Sequence, residues 1–241
     1  MLKIENTEVL GWEHAIRGMR NPLNSWEKSD SERKYENIRD SEGYLVIGLN
    51  DLDLMKRLRN AGTDHRKFMR MIAVYVDLTG PLYWWKEFDT YKVGTVANSC
   101  STMHKIAEKQ FTLEDFSTEH LNVESITFGL EPVIDLLNKN RELYLQWENV
   151  GEEKKNLWWQ MIQLLPSSYN QRRTVMLNYE VLANIYKSRR NHKLDEWHTF
   201  CDWIEGLPYS ELIIGEDNIG CNEGLNKHFG GCLERGPYYR R

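Results

Sequence analysis

The sequence predicts a mixed fold, with strand-like and helix-like segments alternating in one domain. Three observations carry this reading. Residues 72–78 alternate Ile72, Val74, Val76 and Leu78 against Ala73, Tyr75 and Asp77, the period of a half-buried strand. A proline-opened apolar stripe begins at Glu131-Pro132, and most of the chain beyond it has helical spacing. No internal repeat and no linker long enough to divide the chain interrupts residues 1–241, so one domain with a loop-rich tail from about 207 is expected.

In order along the chain, Val9 to Asn24 carries a modest helical pattern (Leu10, Ala15, Ile16, Met19) that stops at Asn21-Pro22, because the residue before proline resists the helical region. Ser25 to Gly43 is charged and turn-rich, an expected exposed connection. Tyr44 to Gly48 is a short apolar run. Asn50 or Asp51 then suits the cap of a helix carrying Leu54, Met55 and Leu58 and ending near Gly62. The strand runs from Phe68 and is punctuated by Gly80-Pro81. The segment Pro81 to Ile106 mixes bulky aromatics with Lys86, Glu87, Asp89 and Lys92, then Gly-Thr-Val-Ala-Asn-Ser-Cys-Ser-Thr; it reads as chain laid around a ligand.

Further on, Val133, Leu136, Leu137, Leu143, Tyr144 and Trp147 form one helical stripe, and a second helix spans about Glu152 to Leu165, before Pro166. A third is expected from Asn178 to about Arg190. In a fourth, Trp197, Phe200, Cys201 and Ile204 recur at helical spacing. Within the third, steps of six and five residues keep Asn178, Asn184 and Arg189 from sharing one face.

Composition narrows the function. With 41% hydrophobic and 12% aromatic residues, the 241-residue chain has ample material for a core. A net charge of −5 argues against a general nucleic-acid or membrane-surface binder, since phosphate affinity needs clustered positive charge. Local cations at Lys187 to Arg190 and Arg240-Arg241 fit a small anionic ligand better than a polyanion. No stretch approaches the roughly 18 to 20 apolar residues of a membrane helix, and MLKIENTEVLGWEHAI lacks a signal-peptide core, so a cytoplasmic location is expected. Four cysteines are too few for a disulfide scaffold in a chain this size. Cys221, His228 and Cys232 match no metal-ligand spacing and are read as loop residues; no metal is expected.

The chain resembles the flavin-dependent thymidylate synthase (ThyX-like) family in ordered blocks from roughly Asn50 to Ile204. His65, sixteen positions before Pro81, resembles the histidine of the family's GHxxPxEH element. Pro81 onward resembles the segment that holds Arg-Gln-Trp and Arg-His-Arg. Leu164-Leu165-Pro166 resembles the family's Leu-Pro turn, and Asn178, Asn184 and Arg189 its flavin-contacting helix. The resemblance implies an α+β fold, a mixed or antiparallel sheet packed with helices. It implies FAD-mediated reductive methylation of dUMP or a related pyrimidine nucleotide, with NADPH and methylenetetrahydrofolate as co-substrates, in a homotetramer. By the same resemblance His65, Lys92, Asn98, Asn178, Asn184 and Arg189 contact flavin, and Lys86, Glu87, Thr90, Cys100, Ser101 and Arg172 line the nucleotide pocket.

The departures fall on the diagnostic motif. Aligned without gaps, Arg-Gln-Trp becomes Lys86-Glu87-Phe88, Arg-His-Arg becomes Thr90-Tyr91-Lys92, and an arginine shortly before the Leu-Pro turn becomes Ile162. Each lost charge-assisted contact to phosphate removes roughly 1.5–3 kcal/mol. Ordinary thymidylate synthesis is therefore expected to be weak or absent unless Lys86, Lys92, Arg172 and Arg173 substitute. Cys100 has no spacing that enforces a cationic neighbour, although Lys92 or His104 could serve, and is read as a small polar residue lining a loop. Two other readings stay open: a flavin site with a different pyrimidine substrate, and a non-catalytic relative that binds a nucleotide or a protein in the same cleft.

Overall fold

The computed structural model describes residues 2–35, 43–147 and 151–215. The fold is α+β. A four-stranded antiparallel sheet has the order β1 (Lys3–Leu10), β4 (Ala73–Pro81), β6 (Asn170–Asn178), β5 (Val96–Ser99), and β2 (Glu32–Lys34) pairs with β3 (Tyr44–Val46) as a separate ribbon. The helices are α1 (Trp12–Arg20), α2 (Leu49–Asn60), α3 (Leu82–Phe88), the short α4 (Val123–Ser125), α5 (Glu131–Gln146), α6 (Glu152–Leu164), α7 (Tyr179–Arg189), α8 (Asp195–Glu205) and the short α9 (Glu211–Ile214).

Strand alternation decides which residues meet. The register pairs Val74 with Leu177 and Val76 with Val175 on the inner face, and all four side chains are buried. Tyr75 opposite Met176, Asp77 opposite Thr174 and Thr79 opposite Arg172 lie on the outer face. The strand β4 starts at Ala73; Phe68 and its neighbours form a 3-10 turn, Arg66–Met71, that leads into it.

Several segments differ from the sequence expectation. The first strand, β1, escaped the period-two pattern because Asn6 has φ 53 and the register slips between Glu5 and Glu8. The helix expected from Val9 starts only at Trp12. Gly80-Pro81 ends β4 without a loop, and the aromatic run turns at once into α3. Trp84, Trp85 and Phe88 are core residues: Trp84 and Phe88 pack with Trp197 and Phe200 of α8 at centroid separations from 5.1 to 6.3 Å, and Trp85 packs on Trp84 and Phe88 at 4.8 and 5.2 Å. The hydrophobic effect accounts for this: each large aromatic removes about 150–250 Å² from water, at about 25 cal/mol per Å².

The segment after Ser25 is also more than a connection. Asp30 Oδ2 and Oδ1 accept from the Asn50 and Asp51 backbone N–H groups at 2.9 and 3.0 Å, capping α2 from across the chain. The residue at the α2 N-cap is Gly48, not Asn50 or Asp51. A Cβ there would stand 2.1 Å from the Asp30 carboxyl carbon, so the cap requires glycine.

Asp51 points back into the loop. Its Oδ2 accepts from Ser29 Oγ, Ser31 Oγ and the Asp30 and Ser31 backbone N–H groups, and its Oδ1 from Arg20 Nε, at 2.6 to 3.2 Å. Burial alone would raise its pKa, but these bonds and the Arg20 charge outweigh it and hold it below the usual carboxylate value.

A second apolar cluster joins Phe111 and Phe116 to α5 and α6 through Leu130, Ile134, Leu137 and Met161. A π-helical turn, Ile126–Leu130, runs directly into α5. Of the α5 stripe, Leu137 is buried, whereas Leu136, Leu143 and Trp147 face outward, because the packed face is set by Ile134, Leu137 and Asn140. The polar sequence before Asn178, for which no element was expected, forms β6. Its charged side chains are accommodated by carboxylates on neighbouring elements. Among the described residues no helix is long and apolar enough to cross a membrane. The tail residues Cys221, His228, Cys232, Arg240 and Arg241 lie outside the described residues.

Candidate functional site

The helix α7 organises the residues singled out by sequence. Asn178 ends β6 and caps α7: its Oδ1 accepts from the Val181 backbone N–H at 3.0 Å. The loop before β5 passes over this cap. Gly94 has φ 81, and a Cβ on it would stand 3.2 Å from Asn178 Nδ2 and 3.0 Å from Val181 Cγ2. Lys92 is exposed at the foot of this loop.

Asn184 points at the 3-10 turn before β4, where its Oδ1 accepts from an Arg66 terminal nitrogen at 3.2 Å. Arg66 Nε also reaches Glu180 at 3.2 Å, and Arg70 pairs with the same carboxylate. Burial alone would raise the Glu180 pKa, but the hydrogen bonds and charges of Arg70 and Arg66 lower it. His65 is exposed beside this pair, its backbone N–H bonded to the Gly62 carbonyl at 3.1 Å. With Lys67 also exposed and Asp64 the other nearby acid, the His65–Arg70 segment and α7 form a polar patch with excess positive charge.

Arg189 lies at the other end of α7 and faces α3. One terminal nitrogen donates to Glu87 Oε2 at 2.8 Å and Nε donates to Tyr91 Oη at 2.9 Å. The guanidinium carbon also sits 4.9 Å from the Trp197 ring centroid. Glu87 Oε2 accepts in addition from Trp197 Nε1 at 3.0 Å, with His192 Nε2 at 3.3 Å. The charged groups of this corner thus find their partners inside the chain.

The nucleotide-side residues divide between the two faces of the sheet. On the outer face Arg172 meets Asp77 at 2.8 Å and Glu5 at 3.9 Å. Hydrogen bonds from Thr174, Asn6 and Arg172 pull the Asp77 carboxyl down to about 2. On the inner face Arg173 lies 4.1 Å over the Trp85 ring and pairs with Asp89 at 2.8 Å. Cys100 joins the β6 edge: its backbone N–H donates to the Arg172 carbonyl at 2.9 Å and its carbonyl accepts from Gln171 Nε2 at 2.9 Å. Its thiol side is exposed. Thr90 Oγ1 donates to the Glu87 carbonyl at 2.8 Å, and Ser101 Oγ accepts from the His104 backbone N–H at 2.9 Å. Asn98 stands opposite Thr174, and Lys86 is exposed on α3.

Within one chain, then, Glu87 joins Arg189, Asn184 joins Arg66, the residue that follows His65, and Cys100 lies beside Arg172. Arg172 and Arg189 stand on opposite sides of the sheet, and Asn178, Asn184 and Arg189 each serve a different neighbour. Sequence reasoning passed over Arg66, Arg70 and Glu180. The available signal was a single acid, Glu180, inside the otherwise apolar run Tyr179 to Ala183. Among the described residues no cluster of three or more His, Cys, Asp or Glu side chains is placed to hold a metal ion.

No protein-family profile and no curated protein matches the chain. Solved structures do. The flavin-dependent thymidylate synthase ThyX from Helicobacter pylori complexed with FAD and dUMP is similar at a TM-score of 0.61 with 16% identity, over 89% of this chain and 98% of the other. A second structure of that enzyme, also with FAD and dUMP, gives 0.62 and 16% over 90% and 98%. The chain has the fold of these enzymes.

Proposed function

We propose that this chain is a flavoprotein that binds FAD and acts on a uracil-type pyrimidine by reductive methylation, with NADPH and methylenetetrahydrofolate as co-substrates and a homo-oligomeric, tetrameric assembly. The observation that carries the reading is the cationic patch beside α7. Two arginines, Arg66 and Arg70, share one carboxylate, Glu180, while His65 and Lys67 stand exposed alongside. A dinucleotide cofactor carries a diphosphate dianion, and guanidinium groups with spare donors are the side chains suited to it. Asn184, already bonded to Arg66, holds that guanidinium toward the patch.

The donor set therefore fits the diphosphate of FAD, with Arg66 and Arg70 gripping it and Asn184 and Glu180 orienting the arginines. Bound flavin would supply the hydride chemistry. The chain's own part is to bind and orient. Glu180, held ionised by the two arginines, fixes their planes before the ligand arrives, so less order is lost on binding. Lys92 and Asn98, exposed on the loop before β5 and on β5 itself, are further residues expected near the flavin, as are Asn178 and Arg189 at the two ends of α7.

The test is FAD binding by purified protein. At a ligand concentration of about 100 times Kd, binding to the native state adds about 2.7 kcal/mol. For a chain of this size that corresponds to a rise in Tm on the order of 5–10 °C. Arg66→Ala and Asn184→Ala should each blunt the rise. A protein that purifies without flavin absorbance and shows no thermal shift at millimolar FAD would exclude the flavin assignment.

A further inference from the structure

The helix α5 carries two apolar faces, and the chain itself uses one. Ile134 and Leu137 pack with Met161 of α6, and Tyr144, Trp158 and Ile162 close around them. A second set, Val133, Leu136, Asn140, Leu143 and the C-cap Trp147, recurs at steps of three, four, three and four, the spacing of a seam between two helices. This stripe runs for about 21 Å along the helix. Leu136, Leu143 and Trp147 remain 42%, 40% and 37% exposed. Single exposed leucines are ordinary, whereas an apolar stripe of about four turns on an outward face is the mark of a covering partner.

Two further observations say what covers it. Asn140, in the middle of the stripe, is 4% exposed, and its buried Nδ2 has no hydrogen-bond partner among the described residues. A buried donor left alone costs about 1–3 kcal/mol, and here it falls at the one point of the stripe that a two-fold axis sets against itself. Beside the stripe, the exposed side chains of Asp135, Lys139 and Glu142 follow one another about a turn apart as acid, base, acid, with no ion pair among the described residues. The other flank is taken up by the second apolar cluster. An antiparallel pair of α5 helices therefore brings the free flank of each copy against that of the other in reversed order, and each Lys139 lies beside an acid of the second copy.

From this arrangement we infer that α5 is a self-association surface: a second copy of this chain docks antiparallel on the stripe 133–147, about a two-fold axis near Asn140. The inference gives the homo-oligomer proposed above one of its contact surfaces and draws nothing from the flavin assignment.

Sedimentation equilibrium of the full chain tests it. The parent should run at an even multiple of the chain mass. Leu136→Glu combined with Leu143→Glu should weaken the association by at least about a hundredfold, because two apolar anchors at the centre of the contact become charged. Leu145→Glu puts the same charge about 180° round the helix from the stripe and should leave the mass unchanged. Lys139→Glu, at an exposed position the core does not need, replaces the double variant should that fail to fold; three acids in a row on both copies should weaken association on the order of tenfold. An oligomer that survives the leucine substitutions, or Lys139→Glu in their place, meets its copies elsewhere and overturns the inference alone. A monomeric parent overturns the inference together with the oligomeric part of the proposed function, while FAD binding is decided by its own thermal shift.

Discussion

Replacing Asp51 with alanine removes the acceptor for five donors at once. Arg20 Nε, the Ser29 and Ser31 hydroxyls and the Asp30 and Ser31 backbone N–H groups all bond to this carboxylate. The side chains of Asp51 and Arg20 are 0% and 4% exposed, so the orphaned guanidinium cannot reach water without local opening. Breaking a buried ion pair from one side costs about 3–5 kcal/mol, and in a chain of this length each kcal/mol lowers Tm by about 2–4 °C. Asp51→Ala should therefore lower Tm by on the order of 10 °C in thermal denaturation at neutral pH. The double variant Asp51→Leu with Arg20→Met, which leaves no unpaired charge, should recover a large part of that loss. A single variant within about 1 kcal/mol of the parent would refute the reasoning. A double variant no better than Asp51→Ala would show that the serine and backbone bonds, and not the buried charge, dominate.

Two further outcomes are expected at the site. The Asp77 carboxyl sits at about 2 in the folded chain, below the value of about 3.9 for an unfolded aspartate. Its contribution to stability is therefore complete above about pH 4 and lost as pH falls toward 2. Urea denaturation between these limits should show that loss in the parent and a flatter profile in Asp77→Asn. Arg189→Lys keeps the charge but gives up the Nε bond to Tyr91 and the guanidinium face on Trp197, so a destabilisation of about 1–2 kcal/mol is expected by chemical denaturation. An unchanged midpoint would mean that these contacts contribute nothing in solution.

What could be read from sequence was whatever a single local period controls. The alternation through Val74, Val76 and Leu78 was visible because β4 lies in the middle of an antiparallel sheet with one face buried. The stripe through Trp197, Phe200, Cys201 and Ile204 was visible because α8 buries one continuous face. The strand β6 was not, because Gln171, Arg172 and Arg173 look like a loop until Asp77 and Asp89 are brought beside them. The aromatics of α3 suggested a ligand when their partners were Trp197 and Phe200, more than 100 positions later. The candidate site shares this difficulty. Its residue types were legible, but the pairings that decide which cations are free, Glu87 with Arg189 and Glu180 with Arg66 and Arg70, span 102 to 114 positions and obey no local pattern.

The bulge in β1 has a consequence for how the molecule meets its surroundings. A plain edge strand offers a ladder of unpaired backbone groups on which another strand can continue the sheet. At Asn6 the chain turns to positive φ, the register slips, and the side chain is drawn inward to Asp77, so the ladder along β1 is broken near its middle. The opposite edge, β5, pairs with β6 in continuous register from Val96 to Ser99 and leaves all four residues exposed. Among the described residues the sheet is blunted on one side and open on the other. Strand-to-strand growth, whether useful assembly or unwanted aggregation, is directed to β5, and a charged residue in place of Val96 is the substitution that would improve solubility without touching the core.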